Sequence, residues 1–267
     1  MIGLLPMQAP PVPKASEDIR LLPIPTPFWQ RIARNLLDIV LPPFCPLCSE
    51  RLQAGEQVVC DACRKKWENI PRPRCPLCGS GAPRPVSSRK CSRCPPSPIS
   101  FDSARGAFRY AGPAAEIVKA LKFHSRVAVA PVMARAMLPM LLEEVVPETG
   151  PIDYLAPVPL HFLRRMQRGF NQSSLLAYQL QQFSGIPVLE NVLLRVKRTR
   201  KQTLLDPAQR HKNVINAFAV NAPGVVAGRR IVLIDDVFTT GATINACALA
   251  LKNAGAEAVN ALCFARA

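Results

Sequence analysis

Two neighbouring carboxylates, Asp235 and Asp236, stand where a run of apolar residues gives way to small and hydroxyl-bearing ones. The preceding run, IVLI, is continuous, which is typical of a parallel strand covered on both faces. Acids at the end of such a strand lie at the carboxyl edge of the sheet, where α/β proteins bind ligands. Two carboxylates at that edge suit a pair of neighbouring hydroxyls or a hydrated Mg²⁺.

A short loop of small residues follows the acids and leads into a helix. Small residues let backbone N–H groups converge on one point, threonine hydroxyls add donors, and the helix N-terminus adds positive potential. A phosphate beside a diol indicates a ribose 5-phosphate as the ligand. The pattern therefore predicts a phosphate-binding loop made of Thr239, Thr240, Gly241, Ala242 and Thr243.

Eight of the ten cysteines form four Cys-x-x-Cys pairs between residues 45 and 94. Two such turns complete a tetrahedral thiolate shell for zinc, and because every thiolate is used, the sites are closed and structural. The simplest pairing is sequential, while an interleaved pairing and an iron–sulfur cluster stay open. Cys247 and Cys263 are predicted to be buried packing residues. The predicted zinc ligands are Cys45, Cys48, Cys60 and Cys63 for one ion, and Cys75, Cys78, Cys91 and Cys94 for the other.

The acids and the loop that follows them, VLIDDVFTTGAT, resemble the signature of type I phosphoribosyltransferases. The strings RGFNQ at 168–172 and ALKFHSR at 120–126, the segment 198–218 and the upstream cysteine pairs narrow this resemblance to the ComF family. That family is named for natural competence and includes the GntX type. The resemblance extends over residues 36 to 267, and the chain is identified as a member of the family.

The resemblance implies an α/β fold, in which a Rossmann-like phosphoribosyltransferase domain with a parallel sheet follows a small zinc-ribbon module whose metal sites each have four cysteine ligands. In type I phosphoribosyltransferases the two acids grip the ribose 2′- and 3′-hydroxyls of phosphoribosyl pyrophosphate (PRPP), and the loop holds the 5′-phosphate. Carried over, Asp235 and Asp236 are the catalytic acids, Thr239–Thr243 bind PRPP, and Mg²⁺ accompanies PRPP.

A second element is expected to hold the pyrophosphate. Pro-Val-Pro-Leu after a predicted strand resembles the family's pyrophosphate loop, which assigns Val158, Pro159 and Leu160 to PRPP binding. Arg164 and Arg168 follow closely, and the fork of donors on an arginine matches pyrophosphate oxygens.

Three further cations are implied by the resemblance. Lys122 occupies the position of the family's usual lysine. The segment 195–212 is strongly basic, and in this fold a mobile basic loop near this point closes over the pyrophosphate and excludes water. Arg200 and Arg210 are therefore expected to contact PRPP.

The chain is predicted to have four regions, of which the last two carry the site residues. Apolar strand-like runs, among them PVLENVLLRV at 187–196, alternate with helical stretches after Phe101, which favours a parallel α/β sheet. The segment 95–100, PPSPIS, reads as a linker. The predicted regions are a disordered extension over 1–27, an amphipathic helix over 28–41, a double zinc-ribbon module over 45–94 and a phosphoribosyltransferase-like domain over 101–267.

The formal charge of +16 suggests polyanionic partners, namely nucleic acid, phosphorylated metabolites or both. Each zinc ion with four thiolates carries −2, so two of them lower the charge to about +12. No run of residues reaches the length that a membrane span needs. The N-terminus lacks the features of a secretory signal, so the chain is expected to be cytoplasmic.

Three functions stay open. The first is a ComF-like factor that binds PRPP and single-stranded DNA or DNA-uptake machinery. The second is a metabolic phosphoribosyltransferase that transfers phosphoribosyl to a nitrogen acceptor which the sequence does not identify. The third is a PRPP sensor without catalysis.

Overall fold

A computed structural model describes residues 44–52, 58–82, 90–96, 98–123, 126–160, 169–196 and 217–267. All of them belong to a compact unit over Pro42–Ala267. The predicted extension over 1–27 and the predicted helix over 28–41 lie outside the described residues. The helices of the described residues include none that is long and apolar enough to cross a membrane.

Strands and helices alternate along much of the described chain. The strands are β1 Ser103–Arg109, β2 Tyr154–Pro157, β3 Leu193–Arg195, β4 Phe218–Val220, β5 Arg230–Phe238 and β6 Ala258–Arg266. The α-helices are α1 Asp61–Arg64, α2 Gly112–Phe123, α3 Ala130–Met140, α4 Val146–Thr149, α5 Gln172–Ser184, α6 Pro223–Val226 and α7 Ala242–Asn253. A 3₁₀ turn, Val127–Val129, precedes α3, and a π-helical turn, Leu141–Val145, follows it.

Four strands form a parallel sheet in the order β1-β6-β5-β2. Asp235 of β5 lies opposite Cys263 of β6, and Ile234 lies opposite Pro157 of β2. Strands β3 and β4 form a separate antiparallel pair. The prediction of an α/β fold with a parallel sheet is confirmed.

The sheet is buried on both faces, which is why β5 is apolar without alternation. On its first face, Val232 and Ile234 join a core built with α2, α3 and α5. On its second face, Ile231 and Leu233 join a core built with α7. Side chains alternate across a strand, so successive residues of β5 serve opposite cores.

Each face of the sheet also carries one cysteine group. Cys45, Cys60 and Cys63 belong to the core of the first face, together with Trp67. The Trp67 ring lies 5.2 Å from the rings of Phe108 and of Phe264, centroid to centroid. Cys75 and Cys78 belong to the core of the second face, against which Cys91 and Cys94 also pack. The cysteine module therefore contacts the sheet on two sides.

The segment 95–100, predicted as a linker, is held against α7. The Asn245 side-chain amide donates to the Pro98 carbonyl (2.9 Å), and the Ser100 N–H donates to the Asn245 carbonyl oxygen (2.7 Å). Pro95 is buried. A proline-rich composition is therefore not a sign of a free hinge here, because one asparagine on the helix hydrogen-bonds the backbone of Pro98 and of Ser100.

The run PVLENVLLRV, predicted as a strand, divides into two pieces. Val188 bridges Leu155 of β2, and β3 begins only at Leu193. Asn191 between them has a φ of 57°, a left-handed conformation that asparagine tolerates better than most residues. That turn ends the extension of the parallel sheet and starts the antiparallel pair.

Candidate functional site

The carboxyl edge of the sheet gathers the ends of β2 and β5 with the beginnings of α5 and α7. Asp235 and Asp236 lie near the end of β5, and the loop Thr239–Thr243 leads from there into α7. Asn171 begins α5 at the same edge.

Asp236 is held on the first face of the sheet and is only 3% exposed. One of its oxygens, Oδ1, lies 2.9 Å from the Lys122 ammonium of α2. The other, Oδ2, accepts a hydrogen bond from the Gln172 side-chain amide of α5 at 3.3 Å. The structure therefore brings Lys122 directly to the second acid, and this ion pair compensates the burial of both charges.

Asp235 is half-buried and is fixed from two sides. Its Oδ1 accepts hydrogen bonds from the Ser173 hydroxyl and from the backbone N–H of Asp236, both at 2.9 Å. Burial and the neighbouring Asp236 charge raise the pKa of the Asp235 carboxyl to about 7, against an opposing effect of Lys122. A carboxyl with this pKa changes its charge near neutral pH, whereas an ordinary aspartate titrates near 3.9.

The loop Thr239–Thr243 contains a left-handed glycine and leads directly into α7. Gly241 adopts a φ of 75° and is the N-cap residue of α7, so the helix begins without a side-chain hydrogen bond from its cap. A Cβ atom at Gly241 would lie 2.5 Å from the Phe238 ring and 2.7 Å from Pro95, so only glycine fits. The N-terminus of a twelve-residue helix is thus presented at the edge of the sheet, where it favours negative charge.

The segment Val158–Leu160 lies at the same edge. The Val158 N–H donates to the Ile234 carbonyl of β5 (3.0 Å), and the Val158 carbonyl accepts from the Asn171 side chain (3.1 Å). The carbonyl oxygen of the Asn171 side chain also caps α5 by accepting from the Ser173 N–H. Because one residue holds both the loop and the helix, their relative position is fixed. The predicted ligands Arg164, Arg168, Arg200 and Arg210 lie outside the described residues.

Three consecutive residues at the start of α5 had no assigned role in the sequence interpretation. Asn171 holds the Val158 loop, Gln172 contacts Asp236, and Ser173 contacts Asp235. The sequence gives one indication of these roles, since three consecutive polar residues stand where the helix begins. Ser173 and Gln172 are 1% and 3% exposed, which a solvent-facing helix start would not show.

The cysteine sulfurs gather into two groups of four, in the sequential arrangement. Within each group the ligand atoms lie within 4.8 Å of one another. The shorter separations include Cys48–Cys60 and Cys75–Cys94 at 3.7 Å and Cys78–Cys91 at 3.6 Å. A zinc ion with bonds of about 2.3 Å to four sulfurs requires an edge of about 3.8 Å between them. Both groups fit structural zinc.

One thiol in each group is predisposed to ionise. Burial opposes ionisation of Cys91, but hydrogen bonds with the Ser80 hydroxyl and the Arg93 backbone outweigh it and lower its pKa to about 6. Burial likewise opposes ionisation of Cys45, whose pKa is lowered to about 7 by backbone hydrogen bonds. Zinc binds the thiolate, so one ligand of each group is available near neutral pH. Burial and neighbouring cysteines raise the pKa of Cys63 and of Cys94, so those thiols lose their protons only with the metal's help.

Two family models match separate parts of the chain. The double zinc ribbon domain matches residues 36–95, and the phosphoribosyl transferase domain matches residues 166–267. A solved structure of the glutamine PRPP amidotransferase from B. subtilis, complexed with ADP and GMP, covers 54% of this chain and 30% of that chain, with 23% identity and a TM-score of 0.36.

Two curated relatives align with most of the chain. Competence protein F of Haemophilus influenzae is 30% identical over 227 residues, which cover 84% of this chain and 96% of that protein. The DNA utilization protein YhgH of Escherichia coli is 32% identical over 231 residues, which cover 85% of this chain and 99% of that protein. With this identity over nearly the complete length of both relatives, the chain, which joins a double zinc ribbon to a phosphoribosyltransferase domain, belongs to the ComF family.

Proposed function

We propose that this chain binds PRPP together with Mg²⁺ at the carboxyl edge of its sheet and thereby supports DNA uptake. The observation that carries the proposal is the meeting of Asp235 and Asp236 with the glycine-capped N-terminus of α7 at that edge. Carboxylates accept hydrogen bonds from a diol, and a helix N-terminus favours a phosphate. PRPP has both groups on one ribose.

Each part of PRPP has a partner of matching chemistry in the proposed complex. The two acids take the ribose hydroxyls, and the loop Thr239–Thr243 takes the 5′-phosphate. We assign the pyrophosphate to the segment Val158–Leu160, which hydrogen bonds from Val158 to β5 and from Asn171 at the start of α5 hold at the same edge. The arginines assigned to the pyrophosphate are Arg164, Arg168, Arg200 and Arg210.

The Lys122–Asp236 ion pair has a part in this proposal. Without a ligand, Lys122 neutralises the buried acid at 2.9 Å. Lys122 is 22% exposed, so its ammonium can turn toward a phosphate oxygen while Asp236 accepts a ribose hydroxyl. PRPP binding would then exchange one ion pair for two charge-assisted contacts.

Mg²⁺ suits the oxygen-rich surroundings of Asp235 and Asp236, and when bound it would neutralise charge on the pyrophosphate. If the chain is catalytic, a nitrogen acceptor forms a bond to the ribose anomeric carbon, the bond to pyrophosphate breaks, and the acceptor loses one proton. The chain's own residues would hold the sugar and the leaving group in line. A PRPP sensor would use the same contacts without turnover.

The link to DNA uptake is supported by the relatives named competence protein F and DNA utilization protein, and by the formal charge of +16. Single-stranded DNA is the partner to test. We expect binding that falls steeply between about 50 and 200 mM salt, because cationic contacts to phosphates release counterions. Binding that is insensitive to salt over this range would contradict the proposal.

The PRPP site is tested by calorimetry and thermal shift with PRPP and Mg²⁺. We expect PRPP to stabilise the wild type, and the double variant Asp235→Asn/Asp236→Asn to bind at least about 100-fold more weakly, since two charged acceptors are lost. Glu116→Gln is the control, because it neutralises an exposed carboxylate paired with Lys119 on α2. Equal stabilisation of the double variant and the wild type would remove the acids from the site.

Turnover is measured separately, as pyrophosphate release with a panel of nitrogen acceptors. Release that depends on one acceptor and on both acids assigns a transferase. Saturable PRPP binding without pyrophosphate release for any acceptor favours a PRPP sensor without catalysis.

A further inference from the structure

The second cysteine group and the phosphate loop are joined by one buried arginine. Arg266 closes β6, where its backbone lies opposite Phe238 of β5 and Arg109 of β1. The Tyr110 N–H donates to the Arg266 carbonyl at 2.7 Å, and the residue is only 6% exposed. Its position at the carboxyl edge of the sheet is therefore fixed by the neighbouring strand.

The guanidinium of Arg266 contacts both the cysteine group and the last residue before the loop. Its Nη2 donates to the Cys78 sulfur and to the Arg93 carbonyl, each at 3.4 Å. Its central carbon lies 4.5 Å from the centroid of the Phe238 ring, within the range of a cation–π contact. Its Nη1 is buried and has no hydrogen-bond partner among the described residues.

A buried cation of this kind requires a counter-charge. Among the described residues, the ion pairs of the structure give Arg266 no carboxylate partner. An unpaired charge in a protein interior is costly, and arginine stays protonated at physiological pH. Zinc bound by Cys75, Cys78, Cys91 and Cys94 would carry a net charge of about −2 directly beside the guanidinium.

We infer that Arg266 is the buried counter-cation of the second zinc centre and the positioning residue that couples this centre to the phosphate loop. The coupling to PRPP rests on the proposed function, whereas the contact with the metal centre does not. N–H···S bonds to a zinc thiolate stabilise its charge and orient the ligand.

Two contacts carry the coupling onward from the metal centre. The Phe238 ring, which Arg266 covers, lies so close to Gly241 that an added Cβ would be 2.5 Å away. Pro95, the residue after the ligand Cys94, lies on another side of Gly241, at 2.7 Å from the same Cβ. The left-handed turn that opens α7 is thus confined by groups that the second metal centre holds in place.

The neighbouring strand makes room for this arrangement. A Cβ at Gly106 of β1 would lie 2.9 Å from the Cβ of Arg266, so a side chain there would displace Arg266. Glycine in the interior of a strand weakens it and often marks a close approach of another group. Here the approaching group is the arginine that contacts the second cysteine group.

The inference is tested on the full, zinc-loaded protein with Arg266→Gln. We expect release of one of the two zinc ions to a chromogenic chelator to become at least about tenfold faster, since the thiolates lose their counter-charge. In the cobalt-substituted protein we expect the thiolate-to-cobalt charge-transfer band to shift. Hydrogen exchange of the amides in 239–245 should also rise at least about fivefold.

Arg109→Gln is the matched control. Arg109 lies in register with Arg266 on β1, but it is exposed and pairs with Glu68 at 2.9 Å. Loss of the Arg109 guanidinium should leave zinc release, the cobalt spectrum and the hydrogen exchange of the amides in 239–245 unchanged. If Arg266→Gln matches this control in either zinc release or loop exchange, the inference is overturned.

A second pair of variants keeps the test decisive if Arg266→Gln does not fold. Arg266→Lys keeps the charge but loses the planar group over Phe238, so zinc release should stay within about threefold of wild type while loop exchange rises. Phe238→Leu should raise loop exchange in the same way with unchanged zinc release. Unchanged loop exchange in both variants would overturn the coupling. None of these measurements uses PRPP, so a failure of PRPP binding leaves their outcome readable.

Discussion

The two faces of the sheet both carry a group of four cysteines, but the surroundings of the two groups differ. On the first face, cysteines pack with Trp67 in a large apolar core, and Asp236 pairs with Lys122. On the second face, cysteines lie beside Arg266, whose guanidinium covers Phe238 at the start of the phosphate loop.

If Arg266 couples the second metal centre to the loop, two chemically equal metal sites serve the molecule unequally. A zinc site that contacts mainly apolar side chains stabilises the fold. A zinc site that lies against a loop with a left-handed glycine turn would also constrain that loop. The comparison predicts that damage to the first cysteine group lowers stability alone, and that damage to the second cysteine group lowers stability and PRPP binding together.

The largest effect is expected from the loss of one zinc ligand on either face. Cys45→Ser and Cys75→Ser should each reduce the zinc content from two to one and lower the free energy of unfolding by more than about 3 kcal/mol. PRPP affinity of the folded fraction should fall more than tenfold for Cys75→Ser and stay within about threefold for Cys45→Ser. Metal analysis, denaturant unfolding and calorimetry measure the three quantities. Equal losses of affinity in the two variants would abolish the distinction between the faces.

A smaller effect is expected at the turn that the second face confines. Gly241→Ala should lower the free energy of unfolding by about 2 kcal/mol, because alanine resists a φ of 75° and its Cβ overlaps Phe238 and Pro95. PRPP affinity should fall at least tenfold. Gly224→Ala in α6 is the control, since no atom lies within 4 Å of its added Cβ. We expect that change to stay within about 0.5 kcal/mol. If Gly241→Ala changed neither the free energy of unfolding nor the PRPP affinity, the turn would not be confined.

The smallest effect is a change in the free energy of unfolding, which is expected to have opposite signs when each of the two acids is replaced. The pKa of Asp235 is raised from 3.8 to about 7, so its folded state favours the neutral carboxyl. The resulting stability is present below pH 3.8 and is lost as the pH rises through 7. Asp235→Asn should therefore be more stable than wild type at pH 8, by about 1–2 kcal/mol for this half-buried group, with a gap that closes toward pH 4.

Asp236→Asn on the first face should instead destabilise the protein at pH 8 by about 1 kcal/mol, because Lys122 loses its charged partner. Urea unfolding from pH 4 to 8 distinguishes the two variants, with Glu116→Gln as the control for an exposed charge. Stability profiles that run parallel to wild type in both variants would contradict the assignment of different roles.

Several features could be predicted because they depend on short stretches of chain. The small-residue loop, the apolar strand before it and the sequential spacing of the cysteines are local patterns. The structure places the loop at the edge of the sheet and the cysteines in two groups of four. The strand prediction for PVLENVLLRV was only partly right, since Asn191 turns the chain between the two pieces. The linker interpretation of 95–100 missed the contacts with Asn245, which lies about 150 residues away in the sequence.

The amino-acid sequence by itself determined the chemistry of this protein: thiols in pairs, two acids after a buried strand, and small hydroxylated residues before a helix. These depend on residue type and local spacing, which the chain carries whatever its partners are. Only the tertiary structure decided which face each cysteine group occupies, that Ser173 and Gln172 hold the acids, and that Arg266 lies between Cys78 and Phe238. The physical reason is that burial and charge compensation arise between residues that are far apart in the chain, and folding alone brings them within contact distance.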